Sequence, residues 1–200
     1  MPIEDSEESS KPETSEQALK EIRMRKMNIG PRYFTASREN ITPNLWSAFE
    51  GFPKGESYFV SGPTGVGKTC LTTLLMCEYN RGKMVNMAQM LRRIKASYNG
   101  DLGESEFAVM RDLSEMPCLV LDDIGVEKTN DWVFEKLYEL IDDRHRNLRQ
   151  TVFTSNLSLQ QLMDKWGERI PSRIAEMCGP HNVIYIPGTD RRMQKIGIVR

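Results

Sequence analysis

Nine consecutive residues, Ser61-Gly62-Pro63-Thr64-Gly65-Val66-Gly67-Lys68-Thr69, bring glycines, an amine and a hydroxyl together. The spacing G-x-x-x-x-G-K-T is that of a phosphate-binding P-loop. Glycine lets the backbone curl so that several N–H groups converge on phosphate oxygens. Lys68 supplies a point charge for the β- and γ-phosphates of a nucleotide, and Thr69 supplies a hydroxyl ligand for Mg²⁺. The expected ATP contacts are therefore Gly62, Pro63, Thr64, Gly65, Val66, Gly67, Lys68 and Thr69. A second cluster is Asp122-Asp123, which follows the apolar run Cys118-Leu119-Val120-Leu121. In that position Asp122 would hold Mg²⁺ opposite Thr69, and Asp123 would orient or deprotonate an attacking water. Either motif alone could be a plain turn; their joint presence favours nucleotide chemistry.

The elements that must position these groups are legible nearby. Ser57-Tyr58-Phe59-Val60 reads as a strand leading into the loop, and Cys70 to Cys77 as a helix leading out. Phosphates would then lie at a helix N-terminus, where free N–H groups and the helix dipole favour anions. Pro117 breaks a preceding helix. The unalternating apolar residues after it read as a strand buried on both faces of a parallel sheet. Ligands gather at the carboxyl ends of such strands. Val133, Leu137, Leu140, Ile141 and Leu148 recur at helical spacing and predict a long core-facing helix. Thr151 to Asn156 then reads as a strand. The amide of Asn156 could hold the lytic water; from this segment alone, a cap on the following helix is the better reading. Arg169 and Arg173 stand four residues apart, with Pro171 needing a first-turn position. Gly188-Thr189-Asp190-Arg191-Arg192 adds cations after the strand-like Asn182 to Ile186. Arginine stabilises phosphoryl-transfer charge, although a lone arginine is more often a surface charge.

Composition sets the frame. The chain has 200 residues, 39% hydrophobic and 28% charged, which supports one sizeable core. A net charge of −1 leaves no global field for nucleic acid, so any such contact must be local. Cys70, Cys77, Cys118 and Cys178 form no C-x-x-C pair, consistent with reduced thiols, a cytoplasmic location and no zinc site. No apolar run reaches membrane-spanning length. Met1 to about Gln17 is acidic and rich in Ser and Pro, and is expected to be disordered. Ala18 to Met27 reads as a frayed linker or a short docking helix. The expected division is an acidic tail over 1–28 and an ATP-binding domain over 29–200.

Taken in order, these segments resemble the AAA+ ATPases, most closely the DnaC-type helicase loaders and their IstB-like relatives. Pro31-Arg32-Tyr33 resembles the family's segment before the core. Gly62 to Thr69 is similar to Walker A, Leu119 to Gly125 to Walker B, and Thr154-Ser155-Asn156 to sensor 1. Glu168-Arg169-Ile170-Pro171-Ser172-Arg173 resembles the E-R-x-x-S-R stretch, which makes Arg173 a finger acting on a neighbouring subunit. Gly188 to Arg192 resembles G-x-D-x-R, which makes Arg192 the sensor 2 cation.

The resemblance implies a three-layer α/β P-loop fold with a mainly parallel sheet and little or no lid. It implies ATP and Mg²⁺ as ligands, and self-association through the finger. The expected function is loading of a hexameric replicative helicase onto single-stranded DNA, with weak ATP hydrolysis. An IstB-like ATPase partner of a transposase shares every motif, and a small-molecule nucleotide kinase fits the length and the P-loop. The sequence departs from the family in three ways. Asp123 stands where Glu is frequent, Cys77 to Met87 looks short for helix, loop and second strand, and no separate helicase-binding module is evident. Arg92, Arg93 and Lys95 could face DNA or be a solvated helix face.

Overall fold

Successive residues of most of this chain's strands face opposite sides, so that the sheet they form divides the molecule between two cores. In the computed structural model, which describes residues 11–41, 43–98, 103–126 and 130–191, the strands are β1 (Tyr58–Ser61), β2 (Lys83–Asn86), β3 (Cys118–Ile124), β4 (Gln150–Ser155) and β5 (Val183–Tyr185). They lie in the order β2-β3-β4-β1-β5, and every pairing is parallel. Helix α3 (Lys68–Glu78) follows β1 directly, and its Leu71, Leu75 and Met76 pack against Tyr58, Val60, Val120 and Val152. The opposite face of the sheet presents Phe59, Leu119, Leu121 and Phe153. That face is covered by α4 (Met87–Tyr98), α5 (Glu106–Glu115), α6 (Asp131–Arg146), α7 (Leu159–Trp166) and α8 (Arg169–Cys178). The result is a three-layer α/β fold, as expected. The short second strand does form, with four residues paired from Lys83↔Leu119 to Asn86↔Asp122, and α4 begins immediately after it.

The N-terminal segment departs from expectation. From Lys11 the chain is helical, as α1 (Lys11–Lys26), with a short α2 (Pro43–Ser47) before β1, whereas disorder was expected to about Gln17; residues 1–10 lie outside the described ones. Met24, Met27 and Ile29 are buried in the α3-side core, and the Arg25 guanidinium lies 5.1 Å from the Phe34 ring centroid. Three apolar residues suffice to dock the end of the helix once a tertiary groove receives them. Sequence composition could not reveal that groove.

Two further expectations are corrected. Leu148 is not part of the core stripe: α6 ends at Arg146, and Leu148 is 91% exposed with φ 50°. The inward position at this end of α6 belongs to Arg144, which is fully buried. Its guanidinium donates to the carbonyls of Leu113 (2.7 Å), Ser114 (3.1 Å), Met116 (2.8 Å) and Gln150 (2.6 Å) and to the Thr151 hydroxyl (2.9 Å). Burial pulls its pKa down to about 10, still well above neutrality, so it remains a cation. Arg144 thus satisfies carbonyls in the last turn of α5, that of Met116 before β3 and that of Gln150, which opens β4. Residues 192–200, where a lid would follow β5, lie outside the described ones. No helix among the described residues is long and apolar enough to cross a membrane.

Replacing Arg144 with Ala strands several buried carbonyls at once. The expected loss is about 3 kcal/mol or more of unfolding free energy. Urea denaturation of the ligand-free protein measures it, and a loss under ~1 kcal/mol would show that water replaces the guanidinium without penalty.

Candidate functional site

The candidate site stands at the carboxyl edge of the sheet, where β1 and β3 end. The loop after β1 needs backbone that only glycine tolerates. Gly62 has φ 149° and Gly65 φ 79°; a Cβ on the first would strike the Ile186 carbonyl, and on the second the Asp190 carboxylate. The loop is thereby wrapped tightly against the segment after β5, and the Arg191 N–H donates to the Gly65 carbonyl at 3.3 Å. Lys68 opens α3 and is nearly buried. Its ammonium donates to the carbonyls of Gly62 (2.7 Å) and Pro63 (2.9 Å) and to Asn156 Oδ1 (2.6 Å).

The two carboxylates reach the same place through an irregularity. In a regular strand, neighbours point to opposite faces. Here the β3–β4 register shifts between Leu121↔Phe153 and Ile124↔Ser155, so that Asp122 and Asp123 together oppose Thr154. This is a β-bulge, and Asp123 takes the left-handed φ of 60° that turns it toward the cleft. The Thr154 hydroxyl fastens the bulge. It donates to Asp122 Oδ1 at 2.7 Å and accepts from the Asp123 N–H at 2.9 Å. The Thr69 hydroxyl donates to both Asp122 oxygens, at 3.0 and 3.2 Å. Burial raises the Asp122 pKa above the usual carboxylate value, and the charge of Asp123 adds to that. The Thr154 and Thr69 hydrogen bonds and the charge of Lys68 act the other way.

A cleft of about 300 Å³ runs over the loop and is lined by Thr64, Lys68, Thr69, Asp123 and Asn156. Arg32 and Tyr33 close it from the N-terminal side. An adjoining hollow of about 220 Å³ is more apolar, bounded by Ile41, Leu45, Val66, Leu71 and Ile186, and suits an aromatic base. The donor chemistry fits a nucleotide with Mg²⁺. Thr69 and Asp122 present only hard oxygen ligands. Among the described residues no cluster of three or more His, Cys, Asp or Glu could hold a metal by itself. A cation between Thr69 and Asp122 would thus draw its remaining ligands from phosphate and water, the usual habit of Mg²⁺.

Of the residues singled out in the sequence, Gly62 to Thr69, Asp122, Asp123 and Asn156 converge here. Asn156 does not cap the next helix: that cap is Ser158, in a capping box with Gln161, which leaves the Asn156 amide facing Lys68. Arg173 is not in the cleft. It lies on α8, where its guanidinium meets Asp142 at 3.2 Å and Glu176 at 3.4 Å. Arg192 lies outside the described residues. What sequence reasoning missed is the role of Thr154, named there only as part of the sensor 1 stretch: it holds the Asp pair one strand over.

Comparison with known proteins agrees with this geometry. The sequence model of the IstB-like ATP binding protein family matches residues 54–172. The chain belongs to that family. It is similar to the uncharacterized protein YdaV of Escherichia coli K12, 28% identical over 151 residues, which cover 74% of this chain and 58% of that protein. It is also 28% identical over 122 residues to the replicative helicase loader DnaC of the same organism, covering 59% of this chain and 49% of DnaC. The chain thus spans about half the length of the curated relatives it matches. A crystal structure of the DnaC helicase loader superposes with a TM-score of 0.65 at 25% identity, covering 80% of this chain and 100% of that one. The protein is an ATP-binding AAA+ member with an α/β P-loop core.

Thr154→Val should leave both the Asp122 carboxylate and the Asp123 amide short of a partner. The expected loss is about 1–3 kcal/mol of stability in urea unfolding, largely restored by Thr154→Ser. Full stability in the valine variant would show that the hydroxyl does not hold the bulge.

Proposed function

We propose that this protein is an ATP-dependent loader that assists a hexameric replicative helicase onto single-stranded DNA. The observation that carries the reading is the separation of Arg173 from the chain's own cleft. Arg173 is held on the exposed side of α8 by Asp142 of α6 and Glu176, and it lines no part of the phosphate cleft. An arginine on this face can serve the nucleotide of a neighbouring copy by exchanging Asp142 and Glu176 for its phosphate. Such head-to-tail contact gives rings or open spirals. The likeness to DnaC favours a helicase as the client. Membership of the IstB-like ATP binding protein family leaves a second reading, an ATPase that serves a transposase with the same site.

In this proposal Gly62 to Thr69 hold the phosphates, and Asp122 with Thr69 holds Mg²⁺, which offsets charge on the reacting phosphoryl group. Asp123 polarises the attacking water and Asn156 positions it. Arg192 reaches the γ-phosphate in cis, and Arg173 reaches it in trans. Asp123 is one methylene shorter than Glu, and its amide is tied to Thr154. Its reach toward water is restricted, which supports slow turnover and a switch more than a motor.

For DNA, the support is local. Trp132 and Tyr98 meet edge to face at 6.3 Å, and Trp132 Nε1–H donates to the Tyr98 hydroxyl at 3.1 Å. Lys95 lies 5.0 Å from the Trp132 ring centroid. Aromatic faces beside a cation suit unpaired bases, which stack, and the strand's phosphates. Arg93 is bound to Glu104 and Asp112, which makes it a weaker candidate than Lys95.

Arg173→Ala and Lys68→Ala proteins should each lack ATP hydrolysis, the first while still binding ATP. Mixing them should restore part of the activity, because an intact loop then meets an intact finger across an interface. No recovery on mixing would remove the trans role.

Trp132→Ala should weaken single-stranded DNA binding by about 1–3 kcal/mol, roughly fivefold to a hundredfold, in fluorescence anisotropy at fixed salt. The client is decided by whether wild-type protein with ATP deposits a replicative helicase on circular single-stranded DNA. Stimulation of a transposase without any helicase deposition would favour the second reading.

A further inference from the structure

The strap that carries the chain from α1 into the fold crosses the phosphate cleft and brings an arginine to it. The strap is fixed on both sides of that residue. Before it, Met27 and Ile29 are buried, the Met84 N–H donates to the Met27 carbonyl at 2.8 Å, and the Asn28 side-chain amide donates to the Met84 carbonyl at 2.7 Å. These bonds tie the strap to β2, two residues before Asn86, which pairs with Asp122. After it, Phe34 is buried. The turn between is closed by Tyr33 N–H to the Gly30 carbonyl (3.0 Å) and Phe34 N–H to the Pro31 carbonyl (3.1 Å).

The turn is exposed from Gly30 to Arg32, and Arg32 and Tyr33 line the same cleft as Lys68, Asp123 and Asn156. Among the described residues Arg32 makes no hydrogen bond or ion pair. Arg93, Arg144 and Arg173, by contrast, are each held by acceptors of the protein itself. The strap also continues α1. The Ile29 N–H donates to the Met24 carbonyl at 2.9 Å, and Arg25 of α1 stacks on Phe34. What moves the turn therefore acts on the last turn of that helix.

We propose that Arg32 contacts the terminal phosphate of bound ATP in cis and so couples the state of the nucleotide to helix α1. This rests on the nucleotide-binding reading of the cleft. A guanidinium on a braced turn gives charge-assisted, geometrically specific hydrogen bonds to phosphate. Its neighbours in the cleft, Asp123 and Asn156, are those assigned above to the water that attacks that phosphate. A contact made in the ATP state and absent in the ADP state is a differential interaction, the only kind that shifts a conformational equilibrium. The strap then favours one placement of α1 with ATP and releases it with ADP.

The full-length chain with Mg²⁺ is titrated with fluorescent ATP and ADP analogues as wild type, Arg32→Gln and Arg32→Lys. Amide hydrogen exchange is followed over residues 23–34. Arg32→Gln should bind ATP about tenfold to a hundredfold more weakly and ADP less than about threefold more weakly, with Arg32→Lys between. In wild type, exchange over 23–34 should be slower with ATP than with ADP, and the variant should lose that difference. Arg32 is exposed, so the unfolding midpoint without nucleotide should not move, which separates lost contact from misfolding. Unchanged ATP affinity overturns the proposal, as does an equal loss for ATP and ADP, which would assign Arg32 to the inner phosphates. Identical wild-type exchange with both nucleotides overturns the coupling to α1. Wild type that binds neither nucleotide would instead sink the reading of the cleft itself.

Discussion

A carboxylate, Asp122, stands almost buried at the carboxyl edge of the sheet, directly after the apolar run Cys118 to Leu121, and much of the surrounding structure exists to keep it there. Burial penalises its charge and raises its pKa. Two hydroxyls, from Thr69 and Thr154, offset that penalty by donating to it. Each comes from a different element, the first turn of α3 and the end of β4, so the single carboxylate fastens loop, helix and two strands at one point. The same Thr154 oxygen accepts the Asp123 N–H and so sets the bulge that turns the second acid into the cleft. One threonine therefore positions both acids.

Around that point the fold separates stiff parts from responsive ones. The inner strands β1, β3 and β4 are buried along nearly all their length and pair in regular parallel register up to the bulge. Arg144 locks the opposite, amino end of β3 and β4 by filling carbonyls that would otherwise be unpaired. The parts able to respond to a ligand are peripheral: the strap over the cleft, the segment after β5 bound to the loop through Arg191, and the α6–α8 face bearing Arg173. A nucleotide touching the first two of these would act on segments that lie outside the inner strands. The third is the face to which the proposed trans role of Arg173 assigns a neighbouring copy.

Much of the site was legible in the sequence because its chemistry is local. The loop Gly62 to Thr69 is a run of adjacent residues whose backbone conformations follow from glycine itself, so its shape survives in almost any context. Asp122 and Asp123 could be placed at a strand end because four apolar residues precede them, and strand ends are where parallel sheets gather ligands. The strands, α3 and the α/β class followed from the same short-range patterns. Pro117 marked the end of α5, and the four-residue β2 with α4 directly behind it matched the tight spacing from Cys77 to Met87.

What remained hidden depends on residues far apart in the chain. That Asp122 and Asp123 both serve the cleft requires a bulge, and the bulge requires Thr154, 31 residues beyond Asp123. Asn156 had a sound local reading as a helix cap. Ser158 takes that role with Gln161, and only the approach of Lys68, 88 residues away, gives the amide its partner. Leu148 fitted a helical stripe but falls past the helix end, while the buried partner of the α5–β4 corner is a charged residue that no hydrophobic pattern would select. Met24 and Met27 looked like parts of a linker until the groove beside α3 gave them somewhere to be buried. Sequence alone determined the loop, the acids and the strands, because each is built from neighbours along the chain. The tertiary structure decided which side chains meet, because a buried charge or amide is tolerated only where distant elements supply its hydrogen-bonding partners.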